Sequence, residues 1–292
     1  MLDSSPLQNE RPAAIARLLS DVSLELPVAK VAAFTADPKR FAPGSQVFLP
    51  HLPGGDADGL GAACRCLVER GFEPVPHVAG RHLASEGALA ERLRAAAENG
   101  AKSLLVLAGD RDRPAGPYGS AYDLLAAPCF RDFAFERAMI SGYPEGHSAI
   151  DRPALAAAMR RKIEILNRFG MKTAIVTQFA FDPQAYVTWV QALRAAGIDR
   201  ELRLGVAGVT ALPTLLKYAV ACGIGPSLSI LRKRGGALMG MLGGYDPGPL
   251  VQEIASRLDG RAAGPIGLHL YPFGGAEKSL DWLASLRGDA AR

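Results

Sequence analysis

Gly142, Tyr143, Pro144, Glu145, Gly146 and His147 put a phenol, a carboxylate and an imidazole into six positions directly after the apolar run that starts at Ala138. Glycine and proline mark a turn, while the other three side chains donate, accept or titrate. The juxtaposition recurs along the chain. Glu25 stands in "SLELP", His51 follows "VFLP", His77 lies in "PVPHV", Gly109 and Asp110 close "SLLVLAGD", Gln178 lies in "TQFAFD" and Tyr271 in "HLYPF". Randomly placed loop polars would favour Ser, Lys and Asn. A bias toward Glu, His, Asp, Gln and Tyr at the ends of apolar runs marks a candidate active site.

These residues need elements that bring the run ends to one place. Eight strand-length apolar or β-branched runs occur, at 22–26, 46–50, 73–78, 103–109, 138–143, 173–179, 202–208 and 266–271. Between most of them lie segments of helical period, at 59–71, 87–100, 152–170, 183–197 and 247–260, several ending at a glycine as a C-terminal cap requires. The alternation predicts an α/β protein, a single-domain (β/α)8 TIM barrel over residues 21–292 behind an N-terminal extension of residues 1–20. A doubly wound open sheet is the competing architecture. In a barrel, catalytic groups belong at the C-terminal strand ends, where these residues fall.

The composition narrows the functional classes. With 292 residues, 49% of them hydrophobic, the chain has material for a large core. Its 33 basic and 29 acidic residues are interspersed, so there is no basic stripe for a nucleic acid backbone. The polar N-terminus lacks the apolar segment of a signal peptide, and the most apolar stretch, residues 214–231, is broken by Lys217, glycines and Pro226. A cytoplasmic protein without membrane association is the expectation. The four cysteines have no metal-ribbon spacing and read as reduced, mostly buried residues. Asp110 and Asp112 form a D-x-D pair, but Arg111 and Arg113 make ion pairing the better reading than a metal site. "GLGAAC", residues 59–64, has two of the three glycines of a dinucleotide fingerprint and is better explained by helix packing.

Together the motifs "SLELP", "LAGD", "GYPEGH", "TQFAFD" and "HLY" resemble the bacterial methylenetetrahydrofolate reductase family in order and spacing, over roughly residues 20 to 275. The resemblance implies a barrel that carries FAD, takes reducing equivalents from NADH or NADPH in a ping-pong scheme, and reduces methylenetetrahydrofolate to methyltetrahydrofolate. It makes Glu25 the general acid toward the nitrogen that leaves the one-carbon unit. It makes Asp110, Gln178, Phe181 and Tyr271 substrate contacts, and His51, His77, Gly109, Asp110, Tyr143 and His147 flavin contacts. One of Phe179 and Phe181 is expected to be plain core, since they alternate.

The chain also departs from the family pattern. Ala108 occupies the position before "GD" that is usually arginine. "PFGG" replaces the usual Asn and Arg after "HLY". The candidates for flavin phosphates are Arg160, Arg161 and Lys162, and Arg232, Lys233 and Arg234 are candidates for a folate tail or nicotinamide phosphates. These departures motivate a second expectation, a folate- or pterin-binding barrel without a redox step that acts as carrier or partner subunit in one-carbon transfer. Self-association into a homo-oligomer is left open.

Overall fold

The structure, a computed structural model, describes residues 11–34, 41–222, 244–258 and 264–290. Arg232, Lys233 and Arg234 lie outside the described residues. Eight parallel strands run in the order of the chain and close into a barrel: β1 (Val22–Glu25), β2 (Gln46–Leu49), β3 (Glu73–Ala79), β4 (Ser103–Leu107), β5 (Arg137–Gly142), β6 (Lys172–Thr177), β7 (Glu201–Ala207) and β8 (Ile266–Tyr271). Among the described residues the helices are α1 (Arg11–Leu18), α2 (Ala57–Glu69), α3 (Glu86–Glu98), α4 (Ala121–Ala126), α5 (Arg152–Arg168), α6 (Pro183–Ala195), α7 (Leu212–Ala221), α8 (Gly248–Arg257) and α9 (Ala276–Ala290). This is the (β/α)8 architecture expected from the run spacing. The eight runs are the eight strands, with ends displaced by two residues at most.

Local chemistry explains the helix boundaries. Asp56, Ser85 and Asp151 accept from backbone N–H groups in the first turns of α2, α3 and α5. Gly71, Gly100, Gly170 and Gly197 take positive φ just beyond the ends of α2, α3, α5 and α6. α2 buries Leu60, Ala63, Cys64 and Leu67, one face at helical spacing. The "GLGAAC" glycine Gly61 lies inside that helix against Asn99, beyond the end of α3, which is the packing role expected of it. Among the described residues no helix is long and apolar enough to cross a membrane.

Contacts gather the chain into two compact units. The first comprises residues 23–142 and 151–176. Its strands pair Glu25 with Phe48, Phe48 with Val75, His77 with Leu105 and Leu105 with Met139. Phe48, Val75, Leu105, Met139, Ala174 and Val176 form one buried cluster. Side chains alternate across a strand, so Glu25 and His77 share the face of this cluster.

The second unit comprises residues 1–22, 143–150 and 177–292. β7 and β8 pair along their whole length, from Leu202 with Ile266 to Ala207 with Tyr271. α1 packs against α8. Buried Arg203 makes a bidentate pair with Asp21 at 3.0 and 2.8 Å and reaches Glu201 at 2.9 Å. His269 on β8 is fully buried, and burial, followed by Arg203, pushes its pKa down to about 3, so the ring is neutral.

Gly205 is where β7 admits its neighbours. A Cβ there would lie deep inside the Thr177 carbonyl oxygen and 2.7 Å from the Tyr271 ring. Neither atom belongs to the free end of a flexible chain. Gly205→Ala is expected to destabilise by about 1–3 kcal/mol through overpacking, lowering the melting temperature by several degrees in thermal denaturation. An unchanged melting temperature would contradict this packing.

Candidate active site

In the first unit, Glu25 ends β1 with its side chain 22% exposed, and its Oε2 lies 3.7 Å from Nε2 of His77. Burial raises the Glu25 carboxyl above its ordinary value, and the nearby His77 draws it down by less. A carboxyl so placed keeps its proton to higher pH than a solvated one. His77 is buried, with its ring edge-on to Phe48 at 5.9 Å, and its carbonyl accepts from Nε of buried Arg92 on α3 at 2.9 Å.

His51 follows β2, and its Nδ1 accepts from the Ala79 N–H at 3.2 Å. Burial first, then Arg92 and His82, push its pKa down to about 3, so at neutral pH the ring is uncharged and the proton sits on Nε2. Its ring meets His82 edge-to-face at 5.1 Å. His82 ends a short 3-10 turn, Gly80–His82, after β3, and its Nε2 lies 2.7 Å from Oδ1 of Asp110. That hydrogen bond is the main cause of a lowered Asp110 pKa, with burial opposing it.

The loop carrying Asp110 is tied down by Arg81. The Arg81 N–H donates to the Ala108 carbonyl at 2.7 Å, and its guanidinium donates to the Gly119 and Arg111 carbonyls at 2.9 and 3.2 Å. Gly109 has φ +93°, and a Cβ there would meet Ala79 and the His82 ring at 3.2 Å each. Only glycine lets the backbone turn there and pass the imidazole.

In the second unit, "GYPEGH" is a tight turn in which the Gly146 N–H donates to the Tyr143 carbonyl at 3.0 Å. The Tyr143 and His147 rings meet edge-to-face at 5.5 Å, and Nδ1 of His147 accepts from the Ala149 N–H at 3.1 Å. Burial first, then Tyr245, raise the pKa of Tyr186 well above its ordinary value, and Glu145 adds a smaller push in the same direction. The Tyr186 hydroxyl accepts from the Ala180 N–H at 2.7 Å and donates to the Gly205 carbonyl at 2.5 Å, anchoring the loop after β6 to β7.

Gln178 follows β6, and its Nε2 donates to the Cys222 carbonyl at 3.2 Å, which leaves its carbonyl oxygen as an acceptor. Tyr271 at the end of β8 donates its hydroxyl to the Thr177 carbonyl at 2.9 Å. Phe179 and Phe181 are both buried, in one cluster with Ala207, Leu215, Ala219 and Tyr245. Phe181 is 3% exposed, its ring against Phe179 and Tyr245. Near Gln178 in this unit, Tyr218, Phe273 and Tyr271 form a column of near-parallel rings, at 4.1 Å and 12° between the first two and 5.9 Å and 14° between the last two.

A family model described as methylenetetrahydrofolate reductase matches residues 54–227, more than half of the chain. The chain belongs to the methylenetetrahydrofolate reductase family. A protein from Clostridium thermocellum, described as binding two copies of 5-methyl-5,6,7,8-tetrahydrofolic acid, has a similar fold, with 12% identity, 98% of each chain covered and a TM-score of 0.58. A Mycobacterium tuberculosis tryptophan synthase structure is 14% identical over 99% of this chain and 98% of its own, with a TM-score of 0.48. A structure from Aquifex aeolicus VF5 is 13% identical over 97% and 99%, also with a TM-score of 0.48. At these identities the likeness concerns the fold alone, and the last two carry nothing further.

Within this reductase-family chain, the motif residues divide between the units. Glu25, His51, His77, Gly109 and Asp110 gather in the first; Tyr143, His147, Gln178, Phe181 and Tyr271 belong to the second. His82 was not among the residues marked by sequence, although it follows the third strand closely enough for the same strand-end rule to find it. Tyr218 and Phe273 were missed because stacking between a helix and a distant loop has no local pattern.

The Glu25 shift has a stability consequence with a definite sign. Its folded-state pKa lies above the unfolded one, so its contribution is full below the ordinary glutamate range and is lost as pH rises through the raised value. Glu25→Gln removes that titration. Thermal melts of both proteins at pH 4 and pH 8 are expected to show the variant gaining on the wild type at the higher pH; parallel pH profiles would contradict a raised carboxyl.

Proposed function

We propose that this chain is a flavin-dependent methylenetetrahydrofolate reductase that uses NAD(P)H to convert 5,10-methylenetetrahydrofolate to 5-methyltetrahydrofolate. The observation that carries the reading is Glu25: a carboxyl at a strand end, buried enough to raise its pKa and set beside a histidine. Family membership supplies the reaction class. The Clostridium thermocellum protein makes methyltetrahydrofolate the first ligand to try.

The residues suit FAD in their donor chemistry. His51 offers an Nε2–H, His147 has Nε2 left over from its backbone contact, and Gly109 leaves the Asp110 loop open to close approach. Lys162 on α5 is buried with Met159 and Leu166, and burial lowers its pKa to about 8. An ammonium so poorly hydrated is matched by an anion such as a phosphate. Arg161 instead lies over the Tyr122 ring, at 4.2 Å. FAD, if held by these groups, would supply the hydride carrier between NAD(P)H and the methylene carbon.

The remaining steps fall to side chains of the protein. Glu25 gives its proton to the nitrogen that leaves the one-carbon unit as the five-membered ring opens. Asp110, ionised, accepts from the amino-pyrimidine edge of the pterin and balances positive charge on the iminium form of the substrate. Gln178 adds an acceptor for a pterin edge, and Tyr271 a ring face whose hydroxyl is tied back to the main chain. Phe181 backs this layer from the core.

Two measurements test the reading. Purified protein supplied with FAD is expected to absorb near roughly 450 nm, as oxidised flavins do, and to be bleached by NADH or NADPH. Glu25→Gln is expected to slow folate reduction by about 10²-fold or more while bleaching by the nicotinamide is unimpaired. Ala108 and the "PFGG" segment favour the carrier reading over the reductase if the protein stays colourless with FAD yet binds methyltetrahydrofolate.

A further inference from the structure

We propose that His82 is the positioning residue for Asp110, holding one carboxylate oxygen so that the other is presented to a ligand that donates hydrogen bonds. The inference rests on the folate reading for the identity of that ligand, but not for the contact itself.

Four observations carry it. Nε2 of His82 is 2.7 Å from Oδ1 of Asp110, and because an ionised carboxylate only accepts, the imidazole is the donor. The His82 side chain is 6% exposed and that of Asp110 80%, so a fixed buried donor reaches an acceptor facing solvent. Nδ1 of His82 is buried with no hydrogen-bond partner, a loss that a residue serving only to pack would avoid by being apolar. Gly109, between Ala108 and the aspartate, is shaped around the ring, since any side chain there would press on His82.

The surroundings give the contact its sense. Position 108, where the family usually has arginine, holds alanine and provides no side-chain donor, and Arg81 spends its guanidinium on the Gly119 and Arg111 carbonyls. The groups facing this pair are Arg111, next to Asp110 in the chain, and neutral His51, which packs on His82 and is itself faced by Arg92 of α3. His82 is thus the side chain that hydrogen-bonds the Asp110 carboxylate. With the Asp110 pKa lowered by this contact, affinity for a ligand donating to Oδ2 persists toward acid pH and is lost only as pH falls through that lowered value.

The test measures the 5-methyltetrahydrofolate dissociation constant from pH 4 to 7 on FAD-supplemented protein, alongside the carboxyl titration of Asp110 by carbon-13 NMR. His82→Phe and His82→Asn, which lack a donor at Nε2, are expected to weaken binding about tenfold at pH 7 and to move both the acid loss of affinity and the Asp110 titration to higher pH. His82→Gln, whose amide can donate from that position, should restore both toward wild type. In an Asp110→Asn background the His82 substitutions should have no further effect on binding. If a folded variant without a donor at the Nε2 position keeps the wild-type Asp110 titration, the proposal is overturned, and His82→Asn serves where His82→Phe does not fold. Wild-type protein that binds no methyltetrahydrofolate overturns the folate reading, while the Asp110 titration still judges the contact.

Discussion

Glu25 and His77, 3.7 Å apart, lie toward the C-terminal ends of β1 and β3, on the face these strands share with a buried apolar cluster. Below them the same face holds Phe48, Val75, Leu105 and Met139, where an unpaired carboxyl or imidazole would lose its hydration for nothing. The candidate chemistry of the first unit therefore depends on one constraint: at the end of β1 burial is incomplete, and the Glu25 side chain keeps part of its surface open. That partial burial raises the Glu25 carboxyl without silencing it. His269, fully buried on β8, shows the stronger effect, with its ring held neutral.

Much of this was legible in the sequence because it is local. Strand-length runs such as "SLLVL" and glycine caps such as Gly71 are fixed by residues within a turn of each other, so the barrel and its helices follow from spacing. The strand-end residues were legible for the same reason, since the fold assigns a place to whatever follows an apolar run. What each side chain touches was less so. Nothing near Asp110 in the chain announces that its partner is His82, 28 residues earlier. The aromatic column of Tyr218, Phe273 and Tyr271 is assembled from α7 and the loop after β8, and no periodicity couples them. Of Phe179 and Phe181, one was expected in the core and both lie there, because the loop after β6 folds back over Ala207 and Tyr245 instead of continuing as an alternating strand.

Beside the Arg203–Asp21 pair, the second unit holds a network of contacts between hydroxyls and backbone. Tyr186 bridges the Ala180 N–H and the Gly205 carbonyl, Thr177 Oγ1 accepts from the Gly205 N–H at 2.8 Å, and Tyr271 donates to the Thr177 carbonyl. Five residues share one network, all buried or half-buried, in which each hydroxyl has a main-chain partner. Such a network loses more when one member is removed than a single hydrogen bond suggests, because each remaining group is left in a medium that cannot solvate it.

The absence of a side chain at Gly205 has a further consequence. Since the Tyr271 ring lies against that glycine and its hydroxyl is bonded to a carbonyl, its rotamer is chosen before any ligand arrives. The rotamer freedom that a mobile aromatic keeps in the folded state is here given up during folding.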